Sequence, residues 1–277
     1  MANVQDTRNM ALFCDFENVA LGVREAKYAQ FNIGLVLERL LLKGSIVVKK
    51  AYCDWERYKD FKAGMHEASF ELIEIPHVRM SGKNSADIRM VVDALDLCYT
   101  KSHVDTFVII SGDSDFSPLV SKLRENNKTV IAVGVKNSTS NLLIANCDEF
   151  IFYDDLVREQ KGTTKRAEKK PARGKAAPSA AAVATPAVPG EDKDKKQEAF
   201  ELVLATTEAL SAERGAEDKI WGSMVKQALK RRNPGFSESY YGFKSFNQLL
   251  EEAATRKFLV LERDEKSGGY IVRSVAQ

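Results

Sequence analysis

Short apolar runs recur along the first half of the chain, separated by stretches whose apolar residues fall at helical spacing. Ala11–Cys14, Ile46–Tyr52, Phe70–Ile75, Phe107–Ile110, Thr129–Val133 and Glu149–Phe152 read as strands, with Phe16–Asn18 continuing the first. Helices are predicted over Phe31–Leu42, Trp55–His66, Asn84–Tyr99, a segment opening at Ser117, and Thr139–Ala145. In the third of these, Ile88, Val91, Val92 and Leu95 recur at i, i+3, i+4 and i+7, so they form its expected buried face. Strands alternating with helices predict an α/β domain with a mostly parallel sheet wrapped on both faces, ending at residue 158.

The pattern then stops. Lys161–Gln197 is built of Lys, Ala, Pro and Gly, with only scattered Val as a larger apolar residue, too little to offset the entropy of ordering it. Residues 159–197 are therefore expected to be a flexible linker. Periodicity resumes in a second region, 198–277. Helices are expected over Ala199–Leu210, Ile220–Arg232 and Phe243–Arg256. Two short strands, Leu259–Glu262 and Tyr270–Val272, flank Ser267-Gly268-Gly269, which gives a winged-helix outline.

Composition changes this picture only locally. A formal net charge of +2 hides an uneven distribution: residues 1–157 carry about −4, residues 158–198 about +5, and the rest about +1. No apolar run reaches the length of a membrane span and the first ten residues are polar, so no membrane role is expected. Cys14, Cys53, Cys98 and Cys147 are far apart in apolar segments without CxxC spacing. They are expected as reduced core thiols of a cytoplasmic protein rather than zinc ligands.

The candidate chemistry lies where strands end. Phe107–Ile110 is an unbroken, mostly β-branched run that Ser111-Gly112 terminates, and Asp113 and Asp115 follow at once. Ser117 is expected to cap the next helix, with Pro118 at its first position. Asp15 likewise follows the first strand, and Asp87 falls in the first turn of a helix that Asn84 can cap. Each acid has a bland account: Asp113 and Asp115 can solvate a turn and favour a helix amino end, and Asp87 can complete a capping box with Asn84. Parallel topology, however, can bring all four to one rim. Two carboxylates about 4 Å apart repel by roughly 4 kcal/mol at an effective dielectric near 20, so such a cluster calls for protonation or a cation. Carboxylate oxygens suit Mg²⁺ or Mn²⁺, which can activate water against a phosphodiester. The three histidines, His66, His77 and His103, lie outside these turns, so no Ser–His or Cys–His arrangement competes.

Asp15-Phe16-Glu17-Asn18, Lys83-Asn84-Ser85-Ala86-Asp87 and Ser111-Gly112-Asp113-Ser114-Asp115-Phe116 together resemble an NYN domain of the LabA-like group, within the PIN-like nuclease superfamily. The resemblance covers residues 9–155. It implies a Rossmann-like sheet of order 3-2-1-4-5 and metal-dependent RNA cleavage. By this resemblance Asp15, Asp87, Asp113 and Asp115 are catalytic and hold the metal, with Asn18, Glu17 and Ser114 supporting and Lys83 contacting nucleic acid. Haloacid-dehalogenase-type phosphatases need an Asp-x-Asp where this chain has Asp15 and Glu17, and Toprim domains begin with Glu where it has Asp15, so both fit less well.

Trp221, Leu229, Asn233–Phe236, Tyr241–Phe243, Leu249-Leu250 and Tyr270–Arg273 resemble a LOTUS (OST-HTH) domain, which implies RNA binding. Lys226, Lys230, Arg231 and Arg232 form a basic run, and Tyr240, Tyr241 and Phe243 are candidates to stack on bases. Core packing of Trp221, Tyr241 and Phe243, or docking of a protein partner, accounts for the same residues. Two functions follow for the chain: a metal-dependent ribonuclease with a tethered RNA-binding module, or a catalytically silent RNA-binding or regulatory adaptor.

Overall fold

The computed structural model describes residues 8–75, 85–167, 191–214, 219–264 and 269–274. It divides into two compact units, 1–158 and 159–277.

In the first unit six strands form one sheet: β1 (Arg8–Asp15), β2 (Gly44–Cys53), β3 (Glu71–Glu74), β4 (Thr106–Ile110), β5 (Thr129–Gly134) and β6 (Glu149–Phe152). Their order is β3-β2-β1-β4-β5-β6, and every neighbouring pair is parallel. Parallel strands need crossovers, and helices supply them. One face is covered by α1 (Phe16–Glu25), α2 (Ile33–Leu41), α3 (Lys59–Glu67) and the start of α7 (Tyr153–Ala167); the other by α4 (Ser85–Thr100), α5 (Ser117–Glu125) and α6 (Asn141–Asn146). The period of two along β1 divides its residues between these layers. Met10, Leu12 and Cys14 join the first, and Ala11 and Phe13 the second. All five residues of β4 are fully buried, as a strand covered on both faces requires.

Several local expectations give way. Phe16 does not extend the first strand: α1 starts there, because Asp15 caps it by accepting a hydrogen bond from the Asn18 N–H. Ser117 does not cap α5. A 3₁₀ turn, Ser114–Phe116, comes first, and the cap is Asp113, whose side chain accepts from the Asp115 N–H at 2.9 Å. α4 buries Met90, Ala94, Leu97 and Cys98 and leaves Ile88 63% and Val92 55% exposed. Of the expected face, Val91 and Leu95 pack partly buried against the core, while Ile88 and Val92 do not. Both stripes have helical spacing, and the sheet selects between them. Asn84 lies outside the described residues.

All four cysteines are buried and free. Among the described residues no helix is long and apolar enough to cross a membrane.

The stretch read as a linker is helical at both ends, since α7 continues to Ala167 and α8 (Glu191–Arg214) begins well before Ala199. Lys, Glu and Ala are good helix formers even without a core to join. Residues 168–190 lie outside the description. The second unit packs α8, α9 (Gly222–Arg232) and α10 (Phe246–Thr255) with an antiparallel hairpin, β7 (Leu259–Arg263) and β8 (Tyr270–Ser274). Phe200, Val203, Val225, Leu229, Leu249 and Val272 centre its own core.

Candidate functional site

β1 and β4 lie side by side, with Cys14 opposite Ile110, so Asp15 and Ser111 emerge together at the carboxyl edge of the sheet. The chain leaves β1 toward β2 on one side, whereas β4 flanks β1 on the other. This is the reversal point at which open α/β sheets form their ligand crevice.

Asp15 is fixed from three directions. The next residue, Phe16, is fully buried against Trp55 and Phe61, with ring centroids 5.0 and 5.1 Å away, which anchors the start of α1. The Ser111 hydroxyl donates to Asp15 Oδ2 at 3.0 Å, and the Asn18 N–H donates to Oδ1 at 3.3 Å. The network then passes to the next strand end. Asn18 Oδ1 accepts from the Gly112 N–H at 2.9 Å, and Ser111 Oγ accepts from the Asp113 N–H at 3.2 Å. Gly112 must be glycine, because a β-carbon there would collide with the Ser138 carbonyl oxygen.

Asp15 is 7% exposed. Burial pushes its pKa from 3.8 up to about 7, the nearby Asp87 adds to this, and hydrogen bonds from Asn18 and Ser111 only partly oppose it. Asp87, half-buried on α4, is pushed up to about 6 by burial and then by Asp113, Asp115 and Glu17. The acids therefore share one electrostatic field, although they come from three separate elements. All are hard oxygen donors, chemistry that fits a hard divalent cation. Their spacing is looser than a closed coordination shell: among the described residues no three His, Cys, Asp or Glu side chains are grouped to hold an ion.

The remaining candidates take varied places. Glu17 faces Arg57, 3.4 Å away. Ser114 opens the 3₁₀ turn, Asp115 is exposed within it, and both line a cleft described below. Lys83 lies outside the described residues. Ser111, the residue that couples Asp15 to the Asp113 backbone, was read from the sequence only as a strand terminator. Its signal was its place one residue past β4 on the strand paired with β1.

In the second unit Lys226 is ion-paired with Glu238 at 2.7 Å. Arg232 donates to the Ala205 carbonyl at 3.4 Å. Lys230 is half-buried and Arg231 exposed in the same last turn of α9. Tyr241 and Phe243, candidates for base stacking, are core residues, while Tyr240 stays half-buried with the Lys195 ammonium 5.8 Å from its ring centre.

A family model of the NYN domain matches residues 9–154, just over half the chain. The chain belongs to the NYN domain family. The match begins in β1, ends at the start of α7, and contains every acid of the edge. An NYN domain has a nuclease-like fold. No family model matches the second unit as a LOTUS domain. The uncharacterized protein MJ0482 of Methanocaldococcus jannaschii is 32% identical over 120 residues, 41% of this chain and 45% of that protein. The chain thus spans less than half the length of this curated relative. A crystal structure of a protein of unknown function, VPA0982 from Vibrio parahaemolyticus, is 27% identical with a TM-score of 0.50, covering 56% of this chain and 98% of that one.

Proposed function

We propose that this NYN domain protein is a cytoplasmic, divalent-metal-dependent ribonuclease that hydrolyses RNA phosphodiester bonds. Residues 198–277 of its second unit act as a LOTUS-like module that holds RNA. The observation that carries this reading is the buried, doubly hydrogen-bonded Asp15 in the field of Asp87 and Asp113. A purely structural acid buried this deeply would be expected beside a cation, yet its neighbours here raise its pKa further. Asp15, Asp87 and Asp113 would hold Mg²⁺ or Mn²⁺, with Asp115 at the rim. When bound, the ion supplies water activation and charge stabilisation at the phosphodiester. Ser111 and Asn18 orient Asp15 and tie it to the backbone of the opposite turn. At neutral pH without a cation, Asp15 keeps a proton for part of the time; a cation at its carboxylate displaces that proton.

A second reading, a catalytically silent RNA-binding or regulatory adaptor, is favoured by the absence of a closed ligand set among the described residues. Incubating the full chain with labelled single-stranded and structured RNA in Mn²⁺, Mg²⁺ or EDTA separates the two. Cleavage that needs metal and is lost in Asp113→Asn supports the nuclease. Binding without turnover under every condition supports the adaptor.

A further inference from the structure

Beside the acids lies an open cleft of about 730 Å³, and its wall is apolar. Ile88, Val91 and Val92 of α4 form one side, and Pro118 and Leu142 the other. Leu142 is 57% exposed, so with Ile88 and Val92 it presents three large aliphatic side chains to water at one place. These α4 residues are the stripe whose spacing led us to expect burial. The structure leaves Ile88 and Val92 exposed and Val91 only partly buried where the helix borders the carboxyl edge.

We propose that this cleft receives one unstacked nucleobase next to the bond being cut, so that the preferred substrate is single-stranded RNA. This rests on the ribonuclease reading and specifies its substrate. Asp87 and Asp115 line the cleft and also belong to the acidic edge, so an occupant of the wall is continuous with whatever sits at the acids. A nucleotide has the matching two-part chemistry: an apolar ring face joined through a ribose to a phosphate. Aliphatic side chains grip ring faces in base pockets, and the volume lies within the roughly 300–1,000 Å³ of small-molecule sites. A paired base stacked in an A-form helix has no free face to offer such a wall.

A second observation points to a ligand independently of the wall. Ser117 lines the same cleft, is 7% exposed, and its Oγ has no hydrogen-bond partner among the described residues. Buried hydroxyls are normally paired, and a rotation about the Ser117 Cα–Cβ bond that turns this Oγ toward the cleft would give it a ring nitrogen or exocyclic group of a bound base as partner. A protein segment would use the apolar wall but has no need of the acids at its end, so the observations favour the base.

The test uses the full chain and two variants, Val92→Asp and Leu142→Asp, at positions exposed enough that folding should persist, with melting temperatures as the check. Fluorescence anisotropy in EDTA measures binding of a short single-stranded oligoribonucleotide, an abasic strand of equal length, and the corresponding duplex. Wild type should prefer the base-bearing strand over the abasic one by roughly five- to tenfold, as expected for burying one ring face of about 40–50 Å² on an aliphatic wall. Both variants should lose that preference without weakening on the duplex. Variants that keep the preference overturn the subsite, as does a concentration-dependent dimer in sedimentation that Val92→Asp dissolves. A parallel cleavage assay in Mn²⁺ judges the underlying reading separately. Wild-type cleavage with unchanged base preference in the variants removes only the subsite. Base-dependent binding lost in the variants, with no cleavage by wild type, removes only the nuclease.

Discussion

Like charges gather in both units, and the two gatherings are held in opposite ways. Along α9, Lys226 is neutralised by Glu238, and in the last turn Arg232 rests on a backbone carbonyl. The whole basic turn also sits where a helix dipole favours positive charge. At the carboxyl edge of the first unit the influences that shift Asp15 are burial, two further acids and two hydrogen bonds, and no cation is among them. A compensated cluster is explained by the fold that contains it. An uncompensated one raises the free energy of the folded chain and so marks where something else is meant to bind.

The sharpest way to break this contrast is to remove one acid. Asp113→Asn keeps an acceptor for the Asp115 N–H while removing a charge, and Mn²⁺-dependent RNA cleavage should fall on the order of 100-fold or more. Melting temperature in EDTA should hold or rise, since repulsion has been relieved. Unchanged cleavage, with a wild-type melting temperature indifferent to Mn²⁺, would reduce Asp113 to a structural cap.

Next in size is the dependence of stability on pH. The folded-state pKa of Asp15, about 7, lies above its ordinary value of 3.8. The stability it contributes is therefore present below about pH 4 and lost as pH rises through about 7. Asp87 acts in the same direction over a narrower window, up to about 6. Urea titrations in EDTA should show a loss on the order of 2–4 kcal/mol across this range, reduced in Asp15→Asn to the part that Asp87 contributes. Saturating Mn²⁺ should reverse the loss near neutral pH by binding the ionised form. A flat profile in wild type would mean that the acids are solvated after all.

Ser111→Ala is a finer probe. It removes a donor from Asp15 Oδ2 and an acceptor from the Asp113 N–H without touching a carboxylate. Cleavage should drop roughly 10- to 100-fold, as when other residues that orient a metal ligand are lost. Because the Ser111 bond lowers the Asp15 pKa, the pH profile of stability should move upward. A fall in cleavage without that movement would assign Ser111 a merely steric part.

The smallest effects belong to the basic turn, and there the contrast can be sharpened within one helix. Arg231→Ala should leave folding intact and lower the salt dependence of RNA binding by about one unit of slope. Lys226→Ala should instead cost about 1 kcal/mol of stability, because it strands the half-buried Glu238. Equal behaviour of the two variants in a salt titration and a melt would erase the distinction between a paired and an available charge.

Much of this was legible in the chain alone. The sheet could be read strand by strand, down to Glu149–Phe152, because a strand covered on both faces needs a short unbroken apolar run and little else in a chain makes one. The acids after β1 and β4 were legible as well, since charge placed directly after such a run must emerge at a sheet edge. Tertiary structure decided the rest. α1 was hidden because its first residue, Phe16, prolongs an apolar run, and only the Asp15 cap and the aromatic pocket turn the chain there. α4 carries two apolar stripes of equal helical spacing, so periodicity could not choose between them. Contact with the sheet buried Met90, Ala94, Leu97 and Cys98 and left Ile88 and Val92 at the mouth of the site. Ser111 became an orienting residue only when β1 and β4 paired in register. Local pattern records which residues avoid water, whereas which neighbours they meet depends on strand order, and that is settled by contacts between residues almost a hundred positions apart.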